Sequence, residues 1–187
     1  MTNLNLIYMQ NLNNLLIELP DYAKDIRINI QNLINEQNQI LNFKQIVGCV
    51  LASAFATKNE SLTKIIKKDV QNILSDAEIN AVKISASIMT MNNTYYRFVH
   101  LVADKEYSQM QAGLRMKGIV DHGIEKNDFE IFSLAISIIN GCGMCVEAHS
   151  NQLIKHGYSK VQIQMIAKIA SVINSLAQAL LIQNFNL

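Results

Sequence analysis

The sequence predicts an all-α fold, and three observations carry that expectation. Only one proline and seven glycines interrupt 187 residues, half of which are hydrophobic. Leu, Ile, Ala, Gln and Lys are abundant between these breakers, as in helix-rich chains. Strand-like alternation of apolar and polar residues is not sustained anywhere.

The elements follow in order. Pro20 suits the first turn of a helix running to about residue 33, with Tyr22, Ile26, Ile30 and Leu33 on one stripe. A second helix covers about 40–57; its small apolar residues predict burial. A third covers about 61–74. Ser75-Asp-Ala-Glu78 is a capping box, in which a serine oxygen and a glutamate satisfy the first backbone N–H groups. It opens a helix to about Met91. A helix at about 109–119 follows a polar break. Asn127 or Asp128 caps the next, which runs to about Asn140 and is interrupted by Gly141. A further helix runs to His156, with Gly157 as its stop. Ser159-Lys-Val-Gln162 is a second capping box and opens the last long helix, toward Leu181.

A weak internal repeat appears at an offset of 84 residues. Ser53 aligns with Ser137, Ser75 with Ser159, Ile79 with Ile163, Ala86 with Ala170 and Ser87 with Ser171. The expected organisation is one domain built from two related helical repeats. The N-terminal scaffold half covers about 20–100, and the half that carries the chemistry about 105–187. On this offset Cys142 falls opposite Lys58, and Cys145 opposite Ser61.

Composition narrows the function. Lys and Arg number 16 against 15 acids, a formal net charge of +1, so no basic excess points to nucleic acid. With 17% charged residues the chain is globular in character. Polar residues break every apolar run early, so no membrane-spanning helix is expected. Met1-Thr-Asn-Leu-Asn-Leu6 lacks the basic region of a signal peptide, which leads to the expectation of a cytoplasmic protein. In a reducing compartment paired cysteines are more often catalytic or metal-binding than structural.

The segment Asn140-Gly-Cys-Gly-Met-Cys-Val-Glu-Ala-His149 holds the chemistry. Its spacing sets Cys142, Cys145 and His149 on nearly one helix face. At a helix start the free N–H groups and the dipole favour a thiolate. A thiolate attacks a peroxide or a disulfide, and a second thiol then closes the ring. His149, one turn on, can relay a proton. Zinc is the chemical rival: Cys142, Cys145 and His149 with His156 or Glu147 would make four ligands. No second CxxC or H-x₃-H pair accompanies them, and no βαβ pattern suggests a thioredoxin site. A non-catalytic helical interaction module is the other alternative.

Glu130 has two competing readings. It closes a capping box in Asn127-Asp-Phe-Glu130, or it is a partly buried base for Cys145. Glu147 points about 200° from Cys145 and reads as solvated surface. His100, His122 and His156 have no partner at a telling spacing, and Tyr95 and Tyr96 read as core or interface. Cys49, in Ile46-Val-Gly-Cys-Val-Leu-Ala52, reads as a buried small hydrophobe.

The CxxC-x₃-His motif, with Phe129-Glu130 and Ser137-Ile-Ile139 before it, resembles the alkyl hydroperoxidase AhpD family of the carboxymuconolactone decarboxylase-like superfamily. Leu19-Pro-Asp-Tyr-Ala-Lys-Asp25, Leu51-Ala-Ser-Ala54, Ile88-Met-Thr-Met-Asn-Asn93, Tyr96-Arg97 and Gly113-Leu-Arg-Met116 resemble segments of that family in the same order. A cofactor-free lactone decarboxylase of the same superfamily is a third reading, against which the CxxC pair argues. The family places a glutamate 12 residues before the first cysteine, and Glu130 stands there (142 − 130 = 12). The resemblance implies that Cys145 is oxidised to sulfenic acid. Cys142 is then the more exposed proton donor and the resolving thiol, pairing with Cys145 as the redox disulfide, and Glu130 and His149 form a proton relay. It implies no tightly bound cofactor or metal. Dihydrolipoyl groups on a lipoylated 2-oxoacid dehydrogenase component would supply electrons. Alkyl hydroperoxides and an AhpC-type peroxiredoxin would receive them, the latter through a mixed disulfide at Cys145. A helical homotrimer is implied too. Met144 departs from the pattern: a histidine can stand between the cysteines in the family, so one auxiliary proton carrier is missing here.

Overall fold

The computed structural model describes residues 7–35, 40–102 and 104–185. Among the described residues, nine α-helices and two 3₁₀ segments are bounded and no strand occurs. The all-α expectation holds. Residues 1–6, where no signal-peptide pattern was read, lie outside the described residues.

Helix α1 spans Gln10–Ile17. Its first N–H groups are capped from a distance, since the buried Asp69 carboxylate accepts from Asn11 N at 3.0 Å and Leu12 N at 2.9 Å. Pro20 precedes a 3₁₀ turn, Asp21–Ala23, that runs into α2, Lys24–Asn35. Ile30 is buried on the expected stripe, with Ile26 and Leu33 packed against the core. Tyr22 departs from the stripe: Ala23 takes the inner position, and only the Tyr22 hydroxyl reaches inward, donating to Ala179 O at 3.0 Å. Helix α3, Phe43–Thr57, opens on a capping box of Asn42 and Gln45 and is buried along most of its length. Helix α4 is Glu60–Val70.

Both capping boxes read from the sequence are present, opening α5, Asp76–Leu101, and α9, Lys160–Gln183. Helix α5 runs ten residues past its expected end. Asn92 and Asn93 do not stop it, because both side chains turn into the protein. The helix expected at 109–119 is largely absent. Helix α6, Lys105–Gln109, ends early, Gly113 adopts φ +64°, and a 3₁₀ turn, Lys117–Ile119, completes the segment. A left-handed glycine ends a helical path at little cost. Helix α7, Lys126–Ile139, starts after Glu125, so neither Asn127 nor Asp128 is its cap. Instead the Asn127 amide oxygen pairs with His156 Nδ1, and Asp128 accepts from Gln45 Nε2 at 2.8 Å. Helix α8 is Gly143–Lys155.

Helices α3 and α7 form the centre and pack on each other, with α5 and α9 against both. Gly48 permits the close approach, since a Cβ there would overlap the Phe132 ring. Helix α9 has the length and apolar composition to cross a membrane, yet half of that stretch is buried within this fold. Ile166, Ile169, Ile173 and Leu176 belong to the core, as expected of a central helix.

The helix order repeats. Helices α7, α8 and α9 start at 126, 143 and 160, against 43, 60 and 76 for α3, α4 and α5, separations of 83, 83 and 84. The left-handed residues Lys58 (φ 59°) and Gly141 (φ 68°) keep the separation of 83. So do the N-caps Asn59 and Cys142. The uniform offset of 84 therefore slips by one residue at the site. Cys142 stands opposite Asn59, not Lys58, and Cys145 opposite Leu62, not Ser61. His149 and Glu130 then correspond to Ile66 and Val47. Val47, Leu62 and Ile66 are all fully buried, so the first half carries packing where the second carries polar groups.

Candidate active site

The site is built where α7 hands the chain to α8. Gly141 N donates to Ile138 O at 3.1 Å, and Cys142 N to Ser137 O at 3.2 Å. This pair of bonds around a left-handed glycine closes a helix C-terminus. Cys142 then becomes the N-cap of α8, its sulfur accepting from Cys145 N at 3.3 Å. The two sulfurs lie at disulfide distance, with Cα atoms 5.3 Å apart, inside the usual range for a bridge. Both cysteines therefore occupy the first turn, where unpaired N–H groups and the helix dipole favour a thiolate once the pair is reduced.

Glu130 does not cap its own helix. It is buried on α7, and its Oε2 lies 2.7 Å from His149 Nδ1. His149 Nε2 faces Met89 Sδ at 3.3 Å. The structure thus brings Cys142, Cys145, His149 and Glu130 together. Glu147 is exposed, as expected, and His156 Nδ1 is paired with the Asn127 amide oxygen. Among the described residues no group of three or more His, Cys, Asp or Glu side chains could hold a metal ion.

One implied feature is reversed. Cys142 is fully buried, whereas Cys145 keeps 7% exposure and lines a cavity of about 310 Å³. Cys142 is the N-cap at the α7–α8 corner, while Cys145, one turn into α8, is also buried but reaches the cavity. Met89, Met116, Ile119 and Met144 wall this cavity with the Tyr96 ring, and Cys145, His149, Asn92 and Tyr96 are the lining residues that carry polar groups. Sequence reasoning missed these walls. Met116 and Ile119 fall in the segment expected to be helical, and Tyr96 was read as core or interface. One signal was available: Asn92-Asn93, tandem amides inside an apolar helix pattern, are poor helix formers and need a tertiary reason to be there.

Asn93 has such a reason. Its Nδ2 donates to Ser137 Oγ at 3.0 Å, and its Oδ1 accepts from Asn140 Nδ2 at 2.9 Å. Arg97 Nη1 donates to Asn140 O at 2.6 Å. These bonds tie the Gly141 corner to α5. Asn93→Ala leaves buried partners unpaired, which costs on the order of 1–3 kcal/mol. For a chain of this size a thermal melt should therefore fall by roughly 2–4 °C per kcal/mol lost. An unchanged melting temperature would show that the corner holds without them.

The other cysteine and histidines are not part of the constellation. Cys49 is fully buried, and burial, then the nearby Asp128, pushes its thiol far up, so it stays an unreactive neutral group. His122 is stacked on Phe129 at 4.3 Å. Burial pushes its imidazole down, against smaller upward effects of Glu130 and Asp121, so it is neutral at pH 7. His100 is exposed.

Comparison with known proteins gives the family of this chain. The profile of the carboxymuconolactone decarboxylase family matches residues 105–181, which contain all four site residues. An alkyl hydroperoxide reductase AhpD of Coxiella burnetii is 49% identical over 168 residues, 89% of this chain and 95% of the relative. AhpD proteins of Hyphomonas neptunium and Maricaulis maris are 48% and 43% identical over 87% of this chain, and 89% and 93% of the relatives. With near-complete coverage of both partners at such identity, the chain belongs to the AhpD family.

Proposed function

We propose that this protein is an antioxidant alkyl hydroperoxide reductase working through a Cys142–Cys145 dithiol. One observation carries the reading most directly. A cysteine pair at a helix N-terminus opens, through Cys145, onto an apolar cavity beside a His149–Glu130 pair. In the reduced state the Cys145 thiolate attacks the distal oxygen of the hydroperoxide. The S–O bond forms as the O–O bond breaks, and the alkoxide takes a proton to leave as alcohol. His149, one turn from Cys145 and paired with Glu130, relays that proton, with the Cys142 thiol as a further donor. Cys142 then attacks the sulfenic sulfur and expels water, closing the disulfide. Two electrons leave the dithiol for each hydroperoxide reduced.

Re-reduction is assigned to dihydrolipoyl groups on a 2-oxoacid dehydrogenase component. A dihydrolipoyl thiolate opens the bond at Cys145, the sulfur that lines the cavity, and its second thiol releases the Cys142–Cys145 dithiol. An AhpC-type peroxiredoxin disulfide is reduced in the reverse sense, through a mixed disulfide at Cys145. These exchanges fit a reducing, cytoplasmic setting. Assembly with further copies, as a homotrimer, is part of the same reading. Phe98, Leu101 and Val102, exposed at the end of α5, offer apolar surface for it.

The test is a coupled assay with dihydrolipoamide, its NADH-linked reductase and cumene hydroperoxide, run with and without an AhpC-type protein. NADH oxidation that requires this chain supports the reading, and a rate that appears only with the peroxiredoxin makes the chain an electron carrier. No rate in either arm would overturn it. Met144 sharpens the expectation: it is 40% exposed and borders both the site cavity and a neighbouring one of about 250 Å³. Met144→His restores a proton carrier beside Cys145. Direct hydroperoxide turnover should rise by roughly threefold to tenfold, less than the usual 10²–10⁴ of a positioned acid or base because His149 already serves there. The rate of disulfide exchange with dihydrolipoamide should stay within about twofold of wild type.

A further inference from the structure

His149 is held at both ring nitrogens, and the two holds differ in kind. Nδ1 lies 2.7 Å from the carboxylate of Glu130, which is buried. Nε2 lies 3.3 Å from the sulfur of Met89, a residue of α5 that is 1% exposed. Met89 and His149 both line the cavity that Cys145 reaches. A buried methionine more often fills irregular space. Here its sulfur also meets a polar atom, and a thioether has no hydrogen to give. The contact is attractive only when Nε2 carries the hydrogen, since otherwise two lone pairs would face each other. This holds wherever the proton between Nδ1 and Glu130 Oε2 resides. The partners of an imidazole decide which of its nitrogens carries hydrogen. A leucine at this position would fill the space of Met89 and decide nothing.

We propose that Met89 Sδ accepts the hydrogen of His149 Nε2, holds the ring at the cavity wall, and so makes Nε2 the nitrogen that gives its proton to the leaving alkoxide. The inference rests on the peroxidase reading and makes Met89 a positioning residue for its acid. Nδ1 is engaged by a buried carboxylate, whereas a thioether is a weak acceptor that an alkoxide displaces. When the Cys145 thiolate attacks, the O–O electron pair leaves with the alkoxide. The alkoxide takes the hydrogen from Nε2 and becomes the alcohol. The remaining proton rests on Nδ1, and a neutral ring stays bonded to the Glu130 carboxylate. An aromatic disulfide needs no such proton, because its thiolate leaves as a stable anion.

That difference supplies the experiment. Wild-type and Met89→Leu proteins, each with and without His149→Gln, are reduced and mixed with cumene hydroperoxide or, in parallel, with dithionitrobenzoate, and thiol loss is followed in time. Met89→Leu should slow the hydroperoxide arm about fivefold, well short of the 10²–10⁴ that loss of the acid itself costs, because the imidazole is still present. On the His149→Gln background it should change that arm by less than about twofold. The disulfide arm should change by less than about twofold on either background, which also shows that the dithiol is intact. In protein labelled with nitrogen-15 at histidine, the His149 signals are those lost in His149→Gln. Nε2 should read as a protonated nitrogen in the wild type and move toward the unprotonated shift in Met89→Leu. A slowing that persists without His149, equal slowing of both arms, an unchanged hydroperoxide rate or an unmoved Nε2 signal would make Met89 a packing residue and overturn the inference. Wild-type protein that reacts with the disulfide but not with the hydroperoxide would instead remove the peroxidase reading itself.

Discussion

Replacing Cys145 by serine is expected to abolish hydroperoxide reduction, a fall of at least about a thousandfold in kcat/KM, because no other sulfur takes its place. Cys142 is fully buried at the corner, and Cys49 is sealed in the core with its thiol held neutral. The companion variant behaves differently. Cys142→Ser keeps the sulfur that lines the cavity but removes the thiol that closes the disulfide. It should consume one equivalent of hydroperoxide and stop at a sulfenic acid on Cys145. A dimedone-type reagent followed by peptide mass spectrometry reads this directly. An adduct on Cys142 in the Cys145→Ser protein, and none on Cys145 in the converse variant, would exchange the two roles.

The second large effect belongs to the carboxylate–imidazole pair. Glu130→Gln keeps a hydrogen-bonding group against His149 but removes the charge that supports proton transfer. Turnover should fall by about 10²–10⁴, the usual weight of a positioned acid or base. The melting temperature should remain near that of the wild type, because the side chain keeps its volume and a partner. His149→Gln should cost a similar factor. The double variant should lose little more than the worse single one, since residues that act as one unit are not additive. Losses that multiply would separate Glu130 and His149 into independent roles. A Glu130→Gln protein with full activity would make the 2.7 Å contact structural only.

Much of this was legible in the sequence, for local reasons. Ser75 and Ser159 announced two helix starts through capping boxes, whose geometry depends on four consecutive residues. Gly141 announced the break that exposes the start of α8, because a left-handed residue was needed there. Cys142, Cys145 and His149 were gathered by helical spacing alone. What spacing could not decide was set by tertiary contact. Asn127 and Asp128 have the chemistry of caps, yet His156 and Gln45 compete for their side chains, and the helix starts before them. Glu130 could have turned back to its own helix, but α8 delivers His149 to it across 19 residues. The α5 extension past Asn93 is held by bonds of that amide to Ser137 and Asn140, from distant α7 and its cap. Exposure of the two sulfurs followed the same pattern. The family resemblance implied Cys142 as the outer one, whereas at the α7–α8 corner it is the more buried of the two.

The most direct test is a count of reactive thiols on the folded, reduced chain before and after one equivalent of cumene hydroperoxide. Two thiols should react beforehand, with Cys49 titrating only on unfolding. Both should vanish with the formation of one equivalent of alcohol, and dihydrolipoamide should restore them. Two thiols that persist after the peroxide is added, or a bridge between Cys142 and Cys145 that dihydrolipoamide leaves closed, would contradict a working dithiol at this helix start.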